Sequence, residues 1–223
     1  FNGAYHGSTQ GALSMMGDEY FKNAFRPLLP EVMQLSYNNF DDLNLIDNTV
    51  ACVLVELVQA ETGITLADKD WIIALKEKCE SLCVVLIVDE IQSGFGRTGS
   101  LFAFEQYGIT PDILLLGKAL GGGLPLGAFV ANAKMMGALT HSPVLGHITT
   151  FGGHPVIAAA CLATLQEITE TNLIAETLEK EKLFRKLLVH PLITEVRGKG
   201  LMLAAMTKNA TITNEVILRC HKR

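Results

Sequence analysis

The stretch Val84-Val-Leu-Ile-Val-Asp89 is apolar at every position until its last residue. A run of that length without polar alternation suits a strand covered on both faces, and such strands belong to parallel sheets screened by helices. Residues 50–58 form a β-rich apolar run of the same kind, and shorter runs at 112–116 and 126–131 read the same way. Between the first two lies an amphipathic helical pattern over about residues 67–80. Asp68 and Asp70 stand in its first turn, where the helix dipole favours them. Strand, helix, strand with right-handed crossovers predicts an α/β fold on an open, mostly parallel sheet with helices on both faces. Further helices are expected at about 155–169 and 172–189. A glycine turn feeding a strand is expected over Arg197–Met206, and a last helix from near Thr213.

Composition removes whole classes of function. With 49% hydrophobic and 18% charged residues the chain is not intrinsically disordered. Its unbroken apolar runs, such as Leu82–Val88, are too short to cross a bilayer. A net charge of -5 without a dense Lys/Arg cluster argues against a nucleic-acid or anionic-membrane surface. Five cysteines, an odd number with no C-x-x-C, point to a reducing, cytoplasmic setting and not to a disulfide framework or zinc knuckle. The chain opens in Phe1-Asn-Gly without a Met and closes in a pattern that still reads as helical. Both ends are therefore expected to be cuts within a longer protein.

Ligands of open α/β sheets bind at the carboxyl ends of the strands. That rule singles out Glu56, the stretch Asp89-Glu90-Ile91-Gln92, and Lys118. A lysine at the mouth of a buried strand is costly unless solvated, paired or covalently used; used covalently, it is a Schiff-base lysine whose amine a partly desolvated pocket keeps reactive. Gly121–Gly123 would let backbone approach a bound ring or phosphate. Asp89 closes an apolar strand and needs a cationic partner; beside a Schiff-base lysine, a protonated pyridine nitrogen fits, with the ring as electron sink. Gly94-Phe-Gly-Arg-Thr-Gly99 matches the dinucleotide pattern, but Asp89–Ser93 intervene between strand and glycines, and an acid there repels a pyrophosphate. The glycines after Lys118 stand on the wrong side of the lysine for a P-loop. The six histidines have no metal-ligand spacing and read as surface or core residues.

Three long motifs then carry a resemblance: Asp89-Glu-Ile-Gln-Ser-Gly-Phe-Gly-Arg-Thr-Gly99, Pro111-Asp-Ile-Leu-Leu-Leu-Gly-Lys-Ala-Leu-Gly-Gly-Gly123 and Thr149-Thr-Phe-Gly-Gly-His-Pro155. With Tyr5-His-Gly, Val55-Glu-Leu-Val-Gln-Ala-Glu61 and Val196-Arg-Gly-Lys-Gly-Leu201, they resemble class-III, ornithine/acetylornithine-type aminotransferases in the same order from end to end. The resemblance implies a fold-type-I transferase with pyridoxal 5'-phosphate as cofactor. It implies a large cofactor-binding domain over 1–190 and the start of a small C-terminal α+β domain over 191–223. Lys118 would carry the cofactor and shuttle the proton, Asp89 would hold the pyridinium N–H, and Gln92 would bond near the ring's phenolic oxygen. Tyr5 would stack on the ring, and Glu90 and Ile91 would complete the cofactor wall. Thr150 would reach the phosphate in the neighbouring subunit, so the active unit would be a homodimer. Thr149, Glu56, Glu61 and Ser8 would face substrate, Glu61 as a gate that pairs with an arginine.

Two positions depart from the family pattern. His6-Gly-Ser-Thr9 has serine where the family has an arginine that clamps a substrate carboxylate, and Leu57 replaces a proline. Ser8 offers no charge-assisted fork, so carboxylate recognition must come from elsewhere or the preferred substrate differs. The family's phosphate-binding Gly-Thr/Ser loop and its C-terminal arginine would lie before Tyr5 and after residue 223. Tyr5-His-Gly-Ser-Thr-Gln-Gly-Ala-Leu-Ser and His147-Ile-Thr-Thr-Phe-Gly-Gly-His-Pro are similar to acetylornithine- or succinylornithine-type sequences. They imply transfer of the terminal amine of an N-acylornithine to 2-oxoglutarate, in arginine biosynthesis. The competing expectations are an ornithine or 4-aminobutyrate aminotransferase, a truncated chain that is itself inactive, and a nicotinamide-dependent dehydrogenase built on residues 94–99.

Overall fold

A computed structural model describes residues 1–222. Two short helices, α1 (Gln10–Met15) and α2 (Glu19–Lys22), follow the opening turn. The central elements are then β1 (Cys52–Glu56), a small hairpin of β2 (Val58–Gln59) and β3 (Thr65–Leu66), α3 (Lys69–Leu82), β4 (Val85–Asp89), β5 (Ile113–Gly117) and β6 (Gly127–Ala131). After α4 (Ala133–Ala138) come α5 (Pro155–Glu170), α6 (Leu173–Leu187), a hairpin of β7 (Ile193–Lys199) and β8 (Met202–Thr207), and α7 (Ala210–His221).

The main sheet runs in the order β1-β4-β5-β6, with β1, β4 and β5 parallel. The helix linking the first two strands starts where its chemistry dictates: the Asp68 carboxylate accepts from the N–H groups of Asp70 and Trp71. It stops at Cys83, whose left-handed φ of 56° turns the chain back into β4. Its inner face, Trp71, Ile72, Leu75 and Cys79, packs on Val55, Leu57, Leu86 and Val88 of the sheet, all fully buried. Phe1 and Tyr37 meet Trp71 edge-on with ring centroids 5.1 Å away in each case, and the Trp71 indole N–H donates to the Asn39 carbonyl at 3.1 Å.

Two expectations need correction. Residues 126–131 do form a strand, but it is antiparallel to β5. The segment 118–126 between them is too short for a crossover, which takes roughly a dozen residues or more; a 3-10 turn and Gly122 and Gly123, both at positive φ, fold the chain straight back. The glycine turn at Gly200 and Leu201 does lead into a strand, β8, but Arg197–Lys199 already belong to β7, so the turn is that of a hairpin. β7 is partly exposed along its length, so no apolar run marks it in the sequence.

The hairpin turn is held against the loop after β4. Gly200 donates its N–H to Glu181 Oε2 at 2.6 Å, and Leu201 donates to the Arg97 carbonyl at 2.8 Å. A Cβ on Gly200, whose φ is +60°, would lie 2.7 Å from Thr98 Cα. Gly200→Ala is therefore expected to cost about 1–3 kcal/mol, read as a lower denaturation midpoint of the full-length protein.

Candidate active site

The carboxyl ends of β1, β4 and β5 open into a cavity of about 240 Å³ walled by Tyr5, His6, Gly7, Glu56, Ala60, Glu61, Asp89, Ile91, Gln92 and Lys118. Parallel register does most of the placing. Glu56 and Asp89 are the last residues of their strands and stand directly opposite each other. Lys118 follows Gly117, the last residue of β5, and sits at a left-handed φ of 44°. That conformation is costly for a residue with a Cβ and is held here by the reversal into β6.

Asp89 is buried, and each carboxylate oxygen has a donor: the Ile91 N–H bonds Oδ1 at 3.0 Å and His6 Nδ1 lies 2.9 Å from Oδ2. Two partners, one on each oxygen, fix the rotation of the group. His6 itself is almost wholly enclosed, its side chain 2% exposed, and its Nε2 is buried with no protein partner. On the rim, the exposed Lys118 amine donates to Gln92 Oε1. Tyr5 is anchored through its backbone, which donates to Glu56 Oε2 at 3.0 Å, and its ring stands edge-on to Phe21 at 5.7 Å. Burial pushes the Glu56 carboxyl up to about 8; the Tyr5 N–H pulls the other way, and the Asp89 and Glu61 carboxylates add to the rise.

The other residues singled out from sequence lie elsewhere. Glu90, expected in the cofactor wall, is outside the cavity. Its fully buried carboxylate accepts from Ser93 Oγ at 2.8 Å and from the Ala103 and Phe104 N–H groups at 2.9 and 2.8 Å. Successive residues at a strand end face opposite ways, so when Asp89 turns to the cavity Glu90 turns to the following loop. Ser8 adjoins the wall at Gly7 without being part of it, and Thr149 and Thr150 are exposed, outside the cavity. His6 is a site residue that histidine spacing does not reveal, since spacing speaks only to metals; its signal in the sequence is its place next to Tyr5 in one turn. The N–H groups of Gly94, Gly96 and Gly99, which a dinucleotide would need, donate to the carbonyls of Glu90, Leu101 and Gly96.

A wider cleft, of about 770 Å³, lies at the other end of the strands between α3 and residues 108–112. Its charges answer one another, Lys76 pairing with Glu80 at 3.2 Å and with Asp112 at 3.6 Å. Among the described residues no three His, Cys, Asp or Glu side chains gather as a metal site, and no helix is long and apolar enough to cross a membrane.

Parallel strands thus bring an amine and a doubly held carboxylate to one small cavity, an arrangement able to hold a carbonyl group through lysine. Comparison with known proteins gives the class its name: the profile of aminotransferase class-III matches residues 1–223, and the chain belongs to that family. Its fold is the α/β fold of the pyridoxal-phosphate-dependent aminotransferases. The chain is 41% identical to a "[LysW]-aminoadipate semialdehyde/glutamate semialdehyde transaminase" of Sulfolobus acidocaldarius over 91% of its length and 53% of the relative's. It is 40% identical to an acetylornithine aminotransferase of Oceanobacillus iheyensis, over 94% of its length and 53% of that protein's. The ornithine aminotransferase of Toxoplasma gondii superposes on 99% of the chain with a TM-score of 0.91 and 33% identity, using 54% of its own chain. The chain thus spans about half the length of the relatives it matches.

The Glu56 carboxyl gives a stability test. In the unfolded chain it ionises near its ordinary 4.5, in the folded chain only near 8. A raised carboxyl favours the folded state below 4.5, and that advantage drains away as pH rises through the folded value. Between pH 5 and 8 the full-length protein should lose stability relative to Glu56→Gln by at most about 1.4 kcal/mol per pH unit, read as diverging melting temperatures.

Proposed function

We propose that the full-length protein is a pyridoxal-phosphate-dependent aminotransferase that moves the terminal amine of an N-acylornithine to 2-oxoglutarate, giving an N-acylglutamate semialdehyde and glutamate. The observation that carries this reading is Lys118 and Asp89 on adjacent strand ends, facing one cavity beneath Tyr5. The residues present fit the cofactor: an exposed amine, a carboxylate held in place by His6 and Ile91, and an aromatic ring at the mouth. When bound, pyridoxal 5'-phosphate supplies a carbonyl that condenses with amines and a ring that accepts electron density.

The chain's own residues do the rest. Lys118 Nζ holds the group and, once free, takes and returns a proton. Gln92 Oε1 accepts from that amine and limits its sweep. Asp89 would offer its carboxylate to a ring N–H, in the orientation that His6 and Ile91 fix. Ile91 and Tyr5, which line the cavity, would flank the ring and exclude water from it. Glu61 lines the entrance, with Glu56 deeper in the wall. The likeness to the acetylornithine aminotransferase of Oceanobacillus iheyensis supports an acylated donor. A second reading follows the Sulfolobus acidocaldarius relative, with a [LysW]-aminoadipate semialdehyde/glutamate semialdehyde substrate, and the Toxoplasma gondii structure keeps free ornithine in the comparison.

The same reading makes the protein a homodimer with Thr150 reaching the partner subunit's cofactor. Support comes from the apolar side chains exposed around that loop: Val144, Leu145, Ile148, Phe151 and Val156. It also takes residues 1–190 as the cofactor domain and 191–223 as the start of a smaller one.

The test is the visible spectrum of the full-length protein with pyridoxal phosphate, before and after N-acetylornithine, with borohydride trapping. A cofactor band that requires Lys118 and bleaches with the amine is expected, and Lys118→Ala should lower turnover by at least about 10²-fold. Equal turnover of ornithine or 4-aminobutyrate would discard the acylated donor, and a band independent of Lys118 would discard the mechanism.

A further inference from the structure

The cavity has an electrostatic problem. Besides the Lys118 amine, its charged wall consists of the Glu56, Glu61 and Asp89 side chains, and Ser8, at the position of the family's clamping arginine, brings no cation. A substrate carboxylate entering such a wall meets like charge, unless one of those acids is not a charge at all. Asp89 has a partner on each oxygen, and Glu61 is exposed to water. Glu56 differs from both. It is buried, the register sets it opposite Asp89, and it has one donor, the Tyr5 N–H on Oε2; Oε1 has no protein partner and is not sealed off. A buried acid beside another carboxylate, with one of its four acceptor positions filled, is most stable holding a proton.

We propose that Glu56 is a specificity-determining residue that meets the substrate as a neutral carboxylic acid, donating from Oε1 to a carboxylate oxygen at the end remote from the transferred amine. An O–H···O⁻ bond of that kind is charge-assisted and stands in for the guanidinium that Ser8 lacks. The inference rests on the aminotransferase reading above and adds to it the device that recognises the carboxylate. The groups facing Glu56 set its working range. Asp89 and Glu61 keep the proton on; Lys118 and the Tyr5 N–H work to remove it. As pH climbs through about 8, Glu56 ionises, the donated bond is lost and a repulsion replaces it.

The experiment compares N-acetylornithine with N-acetylputrescine, the same amine without the carboxylate, on the full-length holoenzyme and on Glu56→Ala and Glu56→Gln. Glu56→Ala should raise KM for N-acetylornithine at least tenfold, with a smaller change in kcat, and leave KM for N-acetylputrescine within about twofold. Glu56→Gln, which can also donate, should regain most of that loss and should lack the rise in KM that the unsubstituted enzyme shows above pH 8. A Gln variant as impaired as the Ala variant, or equal effects on both amines, would overturn the proposal. Infrared difference spectra of the unsubstituted protein minus Glu56→Gln provide a readout independent of turnover. A protonated carboxyl band at pH 6–7 that disappears by pH 10 is expected, and its absence would equally overturn the proposal. If no Lys118-dependent cofactor band forms, the aminotransferase reading fails on its own, and the infrared band still decides the charge state of Glu56.

Discussion

Everything at the cavity depends on the parallel pairing of β1 with β4 and of β4 with β5. Parallel strands finish at the same edge, so three chain segments far apart in sequence present their last residues side by side. Glu56 and Asp89 face one another because of register alone, and Lys118 joins them because β5 ends one residue earlier. The helix packed behind the first two strands keeps that register from slipping, since Val55, Leu57, Leu86 and Val88 have no other place to be buried.

The charges of the site are then ordered by their donors. Asp89 has two and is fixed in rotation; Glu56 has one and, on the proposal above, carries a proton; Glu90 has three and serves the loop after β4. Three acids within one small region thus have different duties, decided by how many N–H and O–H groups reach each.

Much of this was legible in the amino-acid sequence. Buried parallel strands leave unbroken apolar runs, so β1, β4 and β5 and their polar last residues could be read directly, and with them Asp89, Lys118 and the neighbourhood of the site. The direction of β6 was hidden because an apolar run looks alike in either orientation; only the length of the connection distinguishes them. β7 was hidden because a half-exposed hairpin strand has no run to find. Glu90 was misassigned because adjacency in sequence suggested a shared duty, whereas strand geometry separates neighbours. His6 was overlooked because its importance comes from an Asp89 contact across 83 positions of sequence, which no local pattern records.

The opposed directions of Asp89 and Glu90 have a consequence for how this segment can vary. One carboxylate faces the cavity and the next holds a loop in place, so the pair acts as a phase mark on the strand. A single-residue insertion or deletion within β4 would exchange their destinations at a stroke, putting the loop's acid in the cavity and leaving three buried donors without an acceptor. Change in this part of the chain is thus channelled into substitutions that keep the count, or into length changes in the loop beyond residue 94, where nothing is tied to alternation.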